Sequence, residues 1–273
     1  HSLGREKKRK LLESGLNIKQ IEKTYFISKR IQAEEEALEE SAVVVASTKQ
    51  EIEHQYSDYY SFNSLKATVI PPGVDHKKFH HIHSTTETSD IDQLVQPFLI
   101  NSSKPPLLAI SRAVRRKNIP SLVEAYGKSE KLKKSTNLIL ILGCRESLSK
   151  LDSQQREVFQ QIFEIVDKYN LYGKVAYPKK HESSQVPSLY RWAASRGGVF
   201  VNPALTEPFG LTLLEAAACG LPMVATDDGG PRDIKRKCEN GLLTDVTDLN
   251  TLKNTLENAF LSKNQWKLWS RNG

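Results

Sequence analysis

The chain has 273 residues, with 39 Lys and Arg against 32 Asp and Glu, and a formal charge of +7. At 38% hydrophobic and 26% charged residues, with 14 Gly and 12 Pro, it is too apolar for a disordered chain and too poor in Gly and Pro for a fibrous or low-complexity one. Its length suits one large domain or two small ones with a real core. Cys144, Cys219 and Cys238 show no C-x-x-C spacing, so neither a disulfide framework nor a zinc ribbon is suggested, and a reducing, cytoplasmic setting is expected. No run approaches the roughly 18 consecutive apolar residues of a membrane span, and the basic start lacks a hydrophobic signal core. The chain opens on His1 and its one methionine is Met223, so a fragment of a longer protein is expected.

In chain order, the patterning predicts a basic helix near 5–13, a long helix near 26–40, a strand at 42–46, a helix near 48–56 and a strand at 67–70. Pro71-Pro72-Gly73 and the polar stretch 76–103 read as a hinge and connector. Three regions follow: 1–70, 71–106 and 107–273. From Leu107 onward, short apolar runs at 107–110, 138–142, 175–177, 199–201, 223–225 and 242–243 read as strands. Between them, Val158, Ile162, Ile165, Val166 and Tyr169, and later Leu249, Leu252, Leu256 and Phe260, repeat at helical spacing. Repeated βα units with right-handed crossovers make an α/β, doubly wound, Rossmann-like parallel sheet.

The net charge concentrates at 104–134, where nine basic residues face Glu124 and Glu130, while residues 1–53 carry ten of each sign. No aromatic side chains interleave with Arg112, Arg115, Arg116 and Lys117 to stack bases, so nucleic acid is not the expected partner. A cationic loop for a small anion, or a solvated face, explains the cluster as well.

Residues 201–234 read as strand, loop, helix, strand, loop, helix. Glu207 and Glu215 lie eight residues apart at the sheet's carboxyl edge, where ligands bind in open α/β sheets. Gly210 permits close backbone approach, and the amides of Gly210, Leu211 and Thr212 open a helix suited to a phosphate. Thr212-Leu213-Leu214-Glu215 also reads as a capping box, which would give Glu215 a purely structural job. Arg112 and Lys117, after the 107–110 strand, could converge on one anion, the arginine as a planar fork and the lysine as a point charge. His76, His80, His81 and His83 invite a metal reading, but they sit in the connector with no cysteine nearby. Asp90-Ile91-Asp92 reads as a solvated loop. The signatures of P-loop NTPases, α/β-hydrolases and zincins do not occur.

E-P-F-G-L-T-L-L-E-A at 207–216, with Arg112 and Lys117 upstream, resembles the retaining nucleotide-sugar glycosyltransferases of the sucrose-phosphate synthase and sucrose synthase group. H-S-L-G at 1–4, R-I-Q-A-E-E at 30–35, A-S-T-K-Q-E-I at 46–52, I-P-P-G-V-D at 70–75 and K-Y-N-L-Y-G-K-V-A-Y-P at 168–178 extend the resemblance along nearly the whole chain. E-P-F-G and the 168–178 run point to the sucrose-phosphate synthase branch. Ala113-Val114-Arg115 and Cys144 depart from that branch's usual residues, without removing a charged donor contact.

The resemblance implies a GT-B fold of two Rossmann-like lobes, with 1–70 the end of the acceptor-side lobe, 71–106 a connector and 107–273 the donor lobe. It implies transfer of glucose from UDP-glucose to fructose 6-phosphate; sucrose synthase chemistry, with unphosphorylated fructose, is the alternative. Arg112 and Lys117 would neutralise the leaving diphosphate, Glu207 would hold glucosyl hydroxyls, Glu215 the ribose diol, and Phe209 with the Gly210, Leu211 and Thr212 backbone the sugar and phosphate. His1 matches the family histidine near the glucosyl unit, and Lys7 and Arg30 match basic positions for an acceptor phosphate. Retention without a carboxylate nucleophile implies front-face substitution, and no metal or other cofactor is expected. The isolated chain is expected to bind donor weakly and turn over little.

Overall fold

The computed structural model describes residues 3–82 and 88–273, and the chain divides into two compact units, 1–73 and 74–273. In the first, α1 (Gly4–Glu13), α2 (Ile18–Tyr25) and α3 (Ile27–Glu40) precede β1 (Val44–Ala46), which pairs in parallel with β2 (Ala67–Val69). A short α4 (Lys49–Glu51) runs into a π-helical turn, Ile52–Tyr56. The helix expected at 26–40 is preceded by one that the periodicity did not signal. Phe26, at φ +48°, ends α2 and starts α3, a backbone state uncommon for a residue with a side chain. α2 opens on a capping box between Asn17 and Gln20. The Glu34 carboxylate accepts from the Gly4 amide at 2.8 Å and from the Tyr59 hydroxyl, and Arg5 pairs with Glu35, so α1 is tied to α3.

The second unit holds six parallel strands: β3 (Pro106–Ile110), β4 (Asn137–Ile141), β5 (Val175–Ala176), β6 (Val199–Asn202), β7 (Met223–Thr226) and β8 (Gly241–Thr244). Their order is β5-β4-β3-β6-β7-β8. Successive side chains of a strand point to opposite faces, and both faces here are apolar. Leu107, Ala109, Leu138, Leu140, Val199, Val201 and Val224 pack on one side against α6 (Ile119–Lys128), α8 (Ser153–Lys168) and α12 (Leu249–Asn258). Leu108, Ile139, Ile141, Phe200, Met223 and Ala225 pack on the other against α9 (Val186–Ser195) and α10 (Leu211–Ala218). Near-continuous apolar strands with helices on both faces are the signature of a doubly wound sheet, as the sequence predicts.

The polar stretch 76–103 is not wholly a connector. The division falls between Gly73 and Val74, and α5 (Ser89–Val95) buries Ile91 and Val95 in the second core. Asp92, expected in a solvated loop, lies on that helix, accepting from the Trp192 indole at 3.0 Å and pairing with Arg196 at 2.8 Å. Short apolar anchors among polar neighbours, too few to show a period, hid this element. Among the described residues no helix is long and apolar enough to cross a membrane.

Candidate functional site

Strand order reverses between β3 and β6: β4 and β5 extend one way from β3, and β7 and β8 extend the other way from β6. The loops leaving the carboxyl ends of β3 and β6 therefore diverge around a crevice, the place where open α/β sheets bind ligands. The first loop carries Arg112 and Lys117; the second carries Glu207 and leads into α10.

These loops are stitched together. After β3, a 3-10 turn, Arg115–Lys117, ends at Asn118 with φ +53°. The Asn118 side-chain amide donates to the Val246 carbonyl at 3.1 Å, and Arg115 pairs with Glu157 of α8. The Leu205 amide donates to the Arg116 carbonyl at 2.9 Å, bringing the second loop alongside the first. Lys117 Nζ then lies 2.5 Å from Glu207 Oε2, both side chains largely buried at 15% and 12% exposure. The Asn202 side-chain amide, at the end of β6, donates to the same Glu207 oxygen at 3.1 Å. Asn202 is a site residue that the sequence reading missed, because a polar residue closing an apolar strand looks like a boundary.

The structure thus brings Lys117 to Glu207, whereas Arg112 stands exposed and makes no ion pair among the described residues. The wider basic cluster does not form one patch. In a parallel sheet, residues 112–117 sit at the carboxyl edge, while Lys131, Lys133 and Lys134, on α7 (Glu130–Ser135) just before β4, sit at the amino edge.

A third loop backs the second. Glu207 and Gly229 form an isolated parallel bridge, and the Gly230 amide donates to the Glu207 carbonyl at 2.9 Å. The Gly229-Gly230-Pro231 turn looks ordinary in sequence, yet it is where the backbone approaches Glu207 and Phe209 most closely.

α10 begins at Leu211 with Gly210 as its N-cap at φ +95°. The expected capping box with Thr212 as N-cap does not form: Gly210 takes that position with no side-chain cap. The left-handed backbone that glycine supplies starts the helix two residues earlier than threonine would. The amides of Leu211 and Thr212 precede any intrahelical acceptor and carry the positive end of the helix dipole. Glu215, in the second turn, meets the fully buried Tyr190 of α9, whose hydroxyl donates to Oε2 at 3.3 Å.

Burial raises the Glu215 carboxyl above its ordinary value, and the Tyr190 hydroxyl pulls partly the other way. A carboxyl raised on folding contributes most to stability at low pH, and that contribution is lost as pH rises through its folded value. Glu215→Gln is therefore expected to stabilise the fold at neutral pH, with the gain shrinking toward about pH 4, as urea unfolding across that range would read. A stability gain on removing a site carboxylate is the mark of a group kept for binding.

Of the other expected site residues, Phe209 and Thr212 are half-buried beside this crevice. Lys7 and Arg30 lie in the first unit: Lys7 Nζ stands 4.1 Å from the centre of the Tyr25 ring, and Arg30 pairs with Glu34 at 2.9 Å. His1 and His83 fall outside the described residues. Arg191 donates to the Lys78 carbonyl at 2.9 Å and meets the His80 ring at 3.5 Å, so His80 packs against α9. Among the described residues no group of three or more His, Cys, Asp or Glu could hold a metal ion.

The doubly wound sheet with its carboxyl-edge crevice gives this chain the α/β architecture of the GT-B glycosyltransferases. The chain belongs to the family described as glycosyl transferases group 1, which it matches over residues 90–273. It is similar to a probable sucrose-phosphate synthase of Vicia faba, 40% identical over all of this chain and 29% of that protein. Further relatives at 38% to 41% identity over the whole chain are also sucrose-phosphate synthases. The chain thus spans under a third of the length of these relatives. Among solved structures, the sucrose-phosphate synthase of Thermosynechococcus elongatus superposes with a TM-score of 0.70 at 25% identity, over 90% of this chain and 55% of that one. HepE of Anabaena in complex with UDP-glucose superposes with a TM-score of 0.69 at 18% identity, over 89% of this chain and 61% of that one.

Proposed function

We propose that the chain is the donor-binding part of a retaining glucosyltransferase that moves glucose from UDP-glucose to fructose 6-phosphate, giving sucrose 6-phosphate and UDP. The observation that carries this reading is the Lys117–Glu207 pair beside the glycine-opened helix, at the switch point of a chain 40% identical along its length to a sucrose-phosphate synthase.

Without donor, Lys117 is neutralised by Glu207. When UDP-glucose enters, the ammonium turns to the diphosphate with Arg112, and Glu207, steadied by Asn202, takes the glucosyl hydroxyls. One ion pair is exchanged for two charge-assisted contacts. The Gly210, Leu211 and Thr212 backbone and Phe209 line the sugar and phosphate, and Glu215 accepts from the ribose diol. The acceptor hydroxyl attacks the anomeric carbon on the face that UDP leaves. The bond to the diphosphate oxygen breaks as the new glycosidic bond forms, and the acceptor proton passes to the departing phosphate, so configuration is retained. Arg112 and Lys117 stabilise the charge that develops there, which is why no metal is invoked. The three free cysteines suit the reducing cytoplasm, where we place the reaction.

Calorimetric titration of UDP, UDP-glucose and ADP-glucose into the chain tests the donor site. Binding of the uridine ligands, lost in an Arg112→Ala, Lys117→Ala double variant, is the expected result; binding indifferent to that change rejects the site. For the acceptor, Lys7 and Arg30 supply the phosphate's cations. Arg30→Ala is expected to weaken fructose 6-phosphate about tenfold or more on the UDP-saturated chain, leaving UDP affinity unchanged. Fructose binding as tightly as its phosphate, with no effect of Arg30→Ala, would support the sucrose synthase alternative instead.

A further inference from the structure

We propose that Tyr190 is a positioning residue for the donor nucleotide: its buried hydroxyl holds the Glu215 carboxylate in the orientation that meets the ribose diol. The inference rests on the reading that Glu215 takes the ribose, and it assigns the nucleoside's sugar selectivity to a residue that itself touches no donor.

A carboxylate on a helix can occupy several rotamers, and a half-solvated one has no reason to prefer the rotamer a diol requires unless something fixes it. Tyr190 is the fixed point. Its side chain is fully buried, its ring stands edge-on to Phe200 with centroids 5.3 Å apart, and Phe79 packs 6.2 Å away. The ring therefore cannot follow Glu215. Its hydroxyl reaches Glu215 Oε2 at 3.3 Å, which engages one carboxylate oxygen of the pair. A buried tyrosine hydroxyl ordinarily seeks a backbone carbonyl or water, as Tyr126 does in the same unit by donating to the Thr136 carbonyl at 3.0 Å. Tyr190, like Tyr59 with Glu34 in the first unit, meets a carboxylate, and here that carboxylate belongs to the proposed donor site. The contact also opposes the burial that would otherwise protonate Glu215 more readily, keeping it an acceptor.

The other titratable and charged groups around this pair are Cys219, Arg191, whose guanidinium meets the His80 ring at 3.5 Å, and His81, whose ring stands against Gly220. Burial pushes the Cys219 thiol, one turn along α10, up to about 12. Burial also holds Tyr190 itself well above its ordinary value, and the Arg191 charge acts on Cys219 against that thiol's burial.

The test compares UDP with 2′-deoxy-UDP by calorimetry on the full chain. Wild type is expected to prefer UDP about tenfold or more, as a charged hydrogen-bond acceptor would. Tyr190→Phe keeps every ring contact and is expected to melt near wild type while its preference falls at least threefold. The acid limb of its UDP affinity should also move to higher pH, because Glu215 loses the donor that held its proton off. Tyr126→Phe, which removes a buried hydroxyl away from the crevice, should change neither readout, and Tyr190→Phe should add nothing in a Glu215→Gln background. A wild type that prefers UDP, with preference and acid limb unmoved in Tyr190→Phe, overturns the proposal alone. A wild type without preference, indifferent to Glu215→Gln, overturns the ribose reading and the proposal with it.

Discussion

Lys117→Ala is expected to weaken UDP binding about tenfold to a hundredfold and to destabilise the fold by about 1–3 kcal/mol, whereas Arg112→Ala weakens binding comparably and leaves stability within about 0.5 kcal/mol. Both cations are assigned to the diphosphate, so both lose a charge-assisted contact. They differ in what they leave behind. Lys117 and Glu207 are largely buried against each other, so among the described residues removing the ammonium leaves the carboxylate side chain only the Asn202 amide as partner. Arg112 is exposed and unpaired among the described residues, so nothing in the unliganded fold misses it. Adding Glu207→Gln to Lys117→Ala should recover most of the lost stability but none of the affinity, since the stranded charge disappears while the donor contacts do not return. Urea unfolding beside calorimetry reads both quantities. Equal stability costs for the two single substitutions would mean that the Lys117–Glu207 pair does not organise the crevice.

That contrast shows what could be read beforehand. Each strand of the second unit was legible to within one or two residues, because a sheet buried on both faces writes itself as unbroken apolar runs such as Leu138 to Leu142. The crevice was legible too, since position after a strand puts Arg112, Lys117 and Glu207 at the carboxyl edge whatever their rotamers. Which cation meets Glu207 was not, because it depends on the Leu205 amide finding the Arg116 carbonyl, a contact between residues distant in sequence. Thr212 misled for a local reason: threonine caps helices well, but Gly210 can turn the backbone where threonine cannot, and the helix starts there. Tyr190 sits at an apolar position of an amphipathic helix, where its ring reads as core and its hydroxyl gives no sign of reaching Glu215. α2 is the opposite case, since Asn17 and Gln20 carry a capping signature that was present and unread.

Gly230→Ala is expected to cost about 1–3 kcal/mol of stability and to weaken UDP-glucose binding about tenfold to a hundredfold, although Gly230 is assigned no contact with the donor. A Cβ there would lie 2.1 Å from the Phe209 carbonyl oxygen and 2.5 Å from Phe209 Cα. These are backbone atoms, so the collision is relieved only by moving the loop that carries Glu207 and ends at Gly210. Moving Glu207 off the donor loses a charged hydrogen bond, which costs about tenfold to a hundredfold in affinity. Gly229→Ala should be worse, because its φ of +88° adds backbone strain to a Cβ 2.2 Å from the Glu207 carbonyl oxygen. Gly143→Ala separates strain from collision: its φ is +83°, but nothing lies within 4 Å of the added carbon. It should cost only about 1–2 kcal/mol for the left-handed backbone and leave donor affinity at wild type. Titrating UDP-glucose below the melting range of all three variants reads the difference. If Gly230→Ala and Gly143→Ala bind donor equally well, the close approach of the third loop does not set the position of Glu207, and the crevice is held by the Lys117 pair and Asn202 alone.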